Sequence, residues 1–157
     1  MLRIALDTDA VNRIADSDDI VRAIGIAAEH SRLIIIGNHV VRDQLAATRD
    51  LARKAQLLKT YDSLPKRDVA TEGSLWGISA WGESCWGDGS HTGISLSEAR
   101  TGGRGGGHDA LIATTAAGNA DILVTDDADL AKKVSHSSAV CSVWSFADFC
   151  QFLRRET

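Results

Sequence analysis

The chemistry this sequence can offer lies in aspartates that follow apolar runs or open helices. Asp7 ends the run LRIAL, Asp43 sits in HVVRDQL, and Asp109 follows His108 at the head of ALIATTAA. Asp126, Asp127 and Asp129 come directly after DILVT. Taken singly, each has an ordinary role: Asp is a good turn residue after a strand and a good cap or dipole partner at a helix start. Together, carboxylates repel, and a fold that gathers them needs a cation or shared protons. Mg²⁺ and Mn²⁺ take oxygen ligands and retain water, which suits hydrolysis of phosphate esters. The candidate set is Asp7, Asp43, Asp109 and Asp127, with Asp126 and Asp129 as alternates for the last.

The elements that would position these side chains follow from periodicity. LRIAL (2–6), RLIII (32–36), DILVT (121–125) and AVCSV (139–143) are short apolar runs bounded by polar residues, as expected of strands buried on both faces. A short apolar turn with Val11 and Ile14 follows the first. Ser17 caps a helix whose first turn carries Asp18 and Asp19. Asn38 caps a long helix over roughly 39–62, with Val41, Leu45, Ala52, Ala55 and Leu58 inward and Arg42, Arg49, Arg53, Lys54 and Lys59 outward. That basic face reads as a solvated surface or as one that contacts phosphate. A helix over 108–118 closes at Gly118-Asn119 in a left-handed turn. Another runs from about Asp127, and the last starts near Ser145 with Phe146, Phe149, Cys150 and Leu153 on one face.

Strands alternating with helices predict a three-layer α/β/α sandwich with a central, mainly parallel, Rossmann-like sheet. In such sheets functional groups collect beyond the C-terminal strand ends, where strand order reverses. If the strands ending at Asp7 and before Asp127 are neighbours there, their carboxylates meet.

Residues 66–107, after the lone Pro65, differ in composition. They hold three of the four tryptophans, in WGISAWGESCWGDG, and end in TGGRGGG. This stretch reads as an insertion or long loop within one domain spanning 1–157. Its tryptophans either pin it to the body or stack on unpaired bases, pinning being the plainer role. GGRGGG lacks GK[ST] and fails GxGxxG, so it reads as a hinge into the next helix with Arg104 exposed. His91 and His108 have no Ser or Cys nucleophile beside them in a supporting pattern.

Composition bounds the rest. The chain has 157 residues, 44% hydrophobic and 24% charged, the balance of an ordinary globular domain. A net charge of −4 gives no global signature of a nucleic-acid binder, so a polyanion would need a local basic patch or bound cations. Three cysteines without CxxC spacing read as reduced thiols, with Cys141 and Cys150 in the core, and point to a cytoplasmic protein. No apolar run approaches membrane-spanning length and no leader precedes the first strand.

The blocks LDTDAVNRI (6–14), HVVRDQL (39–45), HDALIATTA (108–116) and ADILVTDDADL (120–130) resemble those of the PIN-domain family of metal-dependent ribonucleases. The resemblance covers most of the chain apart from 66–107. It implies a PIN-type fold and a Mg²⁺- or Mn²⁺-dependent endoribonuclease. Asp7, Asp43, Asp109 and Asp127 would be the metal-binding and catalytic residues, with Thr125 or Asp129 in support. It further implies RNA, single-stranded, as substrate, and the toxin of a toxin–antitoxin pair with a small antitoxin partner and homodimerisation. This sequence carries Asp43 where the family usually has Glu, shorter by about 1.5 Å, and the Gly- and Trp-rich segment is not a family feature. Two other classes compete: a non-catalytic RNA- or protein-binding module on the same fold, and a small-molecule phosphatase drawing on the D-x-D of Asp7 and Asp9, for which no supporting lysine follows.

Overall fold

The computed structural model describes residues 1–87, 90–92, 106–135 and 140–156. Within them five strands form one all-parallel sheet in the order β3-β2-β1-β4-β5: β1 (Leu2–Leu6), β2 (Leu33–Gly37), β3 (Lys66–Asp68), β4 (Ile122–Val124) and β5 (Ser142–Trp144). Among the described residues seven α-helices complete a three-layer α/β/α architecture: α1 (Thr8–Ile14), α2 (Asp18–Glu29), α3 (His39–Ala46), α4 (Leu51–Ser63), α5 (Gly106–Asn119), α6 (Ala128–Ser135) and α7 (Phe146–Glu156). The central strands are apolar on both faces, as a doubly covered parallel sheet requires. Ile4, Ile35, Leu123 and Val124 are fully buried. In α5 the buried face spreads nearly round the helix, because small residues such as Ala110, Ala113 and Ala116 let its neighbours close in.

Cap chemistry sets the helix starts. Ser17 accepts from the Ile20 N–H, Asn38 from the Val41 N–H at 3.1 Å, and Ser145 Oγ from the Asp148 N–H at 3.1 Å. Asp148 returns a bond to the Ser145 N–H, closing a reciprocal cap.

Several expectations are corrected. Val11 and Ile14 lie in a true helix, α1, rather than in a turn. The helix expected over 39–62 is two: Asp50 turns its carboxylate to the Arg53 N–H at 2.7 Å and starts α4 afresh. Gly118 and Asn119 stay within α5 without a left-handed residue. The absent side chain of Gly118 serves close approach, since a Cβ there would lie 3.0 Å from Glu72 Cγ and Thr92 Cγ2. The last strand is shifted to Ser142–Trp144, and residue 139 lies outside the described residues. Arg42 and Arg53, drawn as part of an open basic face, are tied to Asp62 and Asp16.

The segment after Pro65 begins with an edge strand. Lys66, Arg67 and Asp68 pair in register with Ile35, Ile36 and Gly37. KRD escapes a periodicity search because an edge strand need not be apolar, and charge there discourages further pairing. Residues 71–87 then close into a loop. Thr71, fully buried, donates its N–H to the Glu83 carbonyl at 2.9 Å and accepts from the Cys85 N–H at 2.7 Å. Leu75 and Ile78 face Gly107 at the start of α5. The tryptophans do not perform the pinning: Trp76, Trp81 and Trp86 are 104%, 92% and 87% exposed. Arg104 and the 101–105 hinge lie outside the described residues, as does the His91 side chain.

Three of four indoles in solvent make a spectroscopic prediction. Native emission should be red-shifted and strongly quenched by acrylamide, with Trp144, tilted against Phe152 at 5.5 Å, as the protected remainder. A blue-shifted native spectrum that resists the quencher would contradict the placement of this loop.

Candidate functional site

Strand order reverses between β1 and β4, and the candidate side chains collect there. β1 and β4 pair through Leu6 and Val124, and the ladder continues one step further, with the Asp7 N–H donating to the Val124 carbonyl at 3.2 Å. Both chains then turn into helices at the same level. Asp7 becomes the N-cap of α1, its Oδ1 accepting from the Ala10 N–H at 2.7 Å. Its Oδ2 accepts the Thr125 hydroxyl. Thr125 Oγ1 in turn accepts the Asp127 N–H at 3.0 Å, and Asp127 Oδ1 caps α6 by accepting from the Asp129 and Leu130 N–H groups at 2.7 and 3.0 Å. One buried threonine thus ties the Asp7 carboxylate to the backbone of Asp127.

Asp109 arrives from the first turn of α5, and Asp43 from α3. The start of α3 is held by Tyr61 of α4, whose hydroxyl accepts the Asn38 N–H at 3.1 Å and donates to the Asn38 carbonyl at 3.3 Å. Burial pushes the Tyr61 phenol up to about 12, so it stays a donor. The Thr8 hydroxyl donates to Gln44 Oε1, joining α1 to α3 beside Asp43. Asp7, Asp43, Asp109 and Asp127 all line one cleft of about 500 Å³, together with Thr8, Asp9, Gln44 and His108.

The alternates lie elsewhere. Asp126 points away, 2.7 Å from Arg13 and accepting from the Phe146 N–H at 3.1 Å, where it anchors α7. Asp129 is not among the cleft residues; its exposed carboxylate lies 4.0 Å from Lys132. Thr125 carries the supporting contacts. The Thr8–Gln44 tie and the wall position of His108 had no sequence signal, since both depend on how helices cross.

The site is electrostatically crowded. Burial raises the Asp7 carboxyl above its ordinary value, against the Thr125 and Ala10 hydrogen bonds that lower it, and Asp9 and Asp126 raise it further. Burial likewise raises Asp109; Lys133 and His108 draw it down and Asp127 pushes it up. Among the described residues, no three His, Cys, Asp or Glu side chains converge closely enough to ligate one ion. A closed protein cage is therefore not what this cleft offers. Its donors are hard carboxylate oxygens on an open wall, which fit a Mg²⁺-like ion that keeps most of its waters and takes one or two carboxylates directly. The sequence matches no protein-family model and no curated protein.

The crowding has a measurable consequence in the metal-free protein. A carboxyl raised in the folded state contributes stability that is present below its unfolded value, 3.8 for Asp7, and lost as pH rises through the folded value. Asn at position 7 can cap α1 and donate to Thr125 Oγ1 without the charge. Asp7→Asn should raise the melting temperature at pH 7 by about 3 °C, on the order of 1 kcal/mol, and the gain should shrink as pH falls toward 4. A loss of stability at pH 7, or a gain independent of pH, would show that the Asp7 charge is not penalised.

Proposed function

We propose that this chain is a Mg²⁺- or Mn²⁺-dependent endoribonuclease acting on single-stranded RNA. The observation that carries the reading is the delivery of Asp7, Asp43, Asp109 and Asp127, from four separate segments, to one cleft at the point where strand order reverses. The motif resemblance to PIN-domain ribonucleases points the same way. When bound, the ion supplies a Lewis acid for the phosphodiester and lowers the pKa of a bound water. Asp7, Asp109 and Asp127 would hold it, and Asp43 on the α3 wall would orient the attacking water or hold a second ion. Thr125 acts as a positioning residue, setting Asp7 against Asp127. A cytoplasmic toxin with a small antitoxin partner and a homodimeric state belongs to the same proposal and rests on the resemblance; among the described residues no helix is long and apolar enough to cross a membrane.

The second reading, a non-catalytic RNA- or protein-binding module, is favoured by one fact: Asp7 and Asp127 already serve as helix caps, a purely structural use. A labelled single-stranded RNA separates the two. The nuclease reading expects cleavage with Mn²⁺ that EDTA abolishes; undiminished cleavage in EDTA sinks the metal, and a folded protein inert with Mn²⁺ leaves the binding module.

Thr125→Val tests the positioning role. It should lower activity and Mn²⁺ affinity, the latter read from Mn²⁺-induced thermal stabilisation, by roughly 10–100-fold. Thr125→Ser, which keeps the hydroxyl, should restore most of both. Equal activity in the two variants would assign Thr125 to packing alone.

A further inference from the structure

A second cavity of about 480 Å³ adjoins the aspartate cleft, and Asp43 stands in the wall of both. α3 supplies His39 and Arg42, β3 supplies Lys66 and Asp68, and the 71–87 loop supplies Gly82 and Glu83. His39 is the unusual member. Its side chain is 6% exposed, yet neither Nδ1 nor Nε2 has a hydrogen-bond partner. Glu83 Oε2 lies 3.9 Å from Nδ1, beyond hydrogen-bonding range. A buried imidazole with both nitrogens unpaired is costly and rare, and here it borders open volume large enough for a small ligand.

The surrounding charge selects the ligand. Both cations are committed, Arg42 to Asp62 at 3.1 Å and Lys66 to Asp68 at 2.5 Å. Asp43 and Glu83 have no ion-pair partner among the described residues apart from the distant contact of Glu83 with His39. Such a cavity repels a phosphate. It suits a neutral group rich in N–H donors that also presents an acceptor. The exocyclic amines of adenine, cytosine and guanine are such donors, and carboxylates accept from them; uracil has a carbonyl where cytosine has its amine. The two imidazole nitrogens can meet the ring nitrogens and carbonyls of a base.

Gly82 (φ +79°) leads from this cavity to a third, of about 340 Å³, walled by the exposed Trp76, Trp81 and Trp86. Trp81 and Trp86 meet edge to face with centroids 6.0 Å apart. Indole faces open to solvent are stacking platforms for unpaired bases.

We infer that the His39–Glu83 cavity is a base-recognition subsite: it takes an amine-bearing nucleobase next to the phosphodiester held at the aspartate cleft, and the following unpaired base stacks at Trp81 and Trp86. This rests on the ribonuclease reading for its position relative to the scissile bond, but the recognition itself needs no cleavage. Glu83 accepts from the exocyclic amine and His39 completes the base edge. The acidic wall disfavours phosphate, so the backbone is left to the neighbouring cleft, where the proposed ion would receive it.

Binding of adenosine, cytidine, guanosine and uridine, followed by ligand-observed NMR in EDTA, tests the subsite without metal or catalysis. The three amine-bearing nucleosides should bind, with uridine weaker by about tenfold, the discrimination a good base contact provides. Glu83→Gln, on an exposed side chain that does not threaten folding, should bring the four within about twofold, and His39→Ala should weaken all. Equal binding of all four nucleosides by the native protein, no binding of any, or a preference unchanged in Glu83→Gln overturns the subsite. Cleavage of a mixed-sequence single-stranded RNA with Mn²⁺ separates the two proposals. Cuts without base bias remove the subsite and leave the nuclease; nucleoside discrimination in a protein that never cuts removes the nuclease and leaves the subsite.

Discussion

The hydrogen bond from Thr125 to Asp7 spans the place where strand order reverses, and the remainder of the site is arranged around it. Parallel pairing of β1 with β4 brings two strand ends to one level, and each chain turns there into a helix. Asp7 and Asp127 therefore sit at helix N-termini, and Asp109 lies in the first turn of a third helix. Each N-terminus carries unsatisfied N–H groups and partial positive charge. Those helix ends offset part of the repulsion among the carboxylates that share this wall. The residual repulsion and burial appear as raised Asp7 and Asp109 carboxyls.

Capping and site chemistry compete for the same oxygens. Asp7 has a hydrogen bond on each oxygen, and Asp127 uses Oδ1 for two N–H groups. Carboxylate oxygens have further lone pairs, so these bonds orient rather than exhaust the donors. Orientation by outer contacts is what the proposed metal site would require, because few direct ligands would define its geometry. Asp43 differs: it is exposed, sits inside α3, and is placed only indirectly, through the Tyr61–Asn38 clasp and the Thr8–Gln44 tie.

The 71–87 loop gives the molecule its second character. It is tied down by backbone bonds around Thr71 and by contact with the start of α5, while its tryptophans face outward. A loop that leaves three indoles in water presents an apolar surface of the kind that marks a contact site. Asp43 stands in the walls of both the aspartate cleft and the His39 cavity, and Gly82 in those of the His39 cavity and the tryptophan-lined one.

How much of this was legible depends on whether a feature is local. The apolar runs at 2–6, 32–36 and 121–125, and the caps Ser17 and Asn38, follow from side-chain burial and from orphan N–H groups, both written within a few residues. The aspartate candidates were legible for the same reason, as acids at strand ends and helix starts. The break at Asp50 was a cap signal masked by apolar residues at helical spacing on both sides of it. Other features had no local signature. Edge strand KRD is recognised only by the partner it pairs with, and the outward turn of the tryptophans depends on the closure of the loop between Thr71 and Cys85. Whether Asp126 or Asp127 faces the cleft is set by the β1–β4 register and by the Arg13 and Phe146 contacts that capture Asp126. Sequence determined which groups could act; tertiary structure decided which of them meet, because strand register and helix crossing join residues more than a hundred positions apart, as in Asp7 and Thr125.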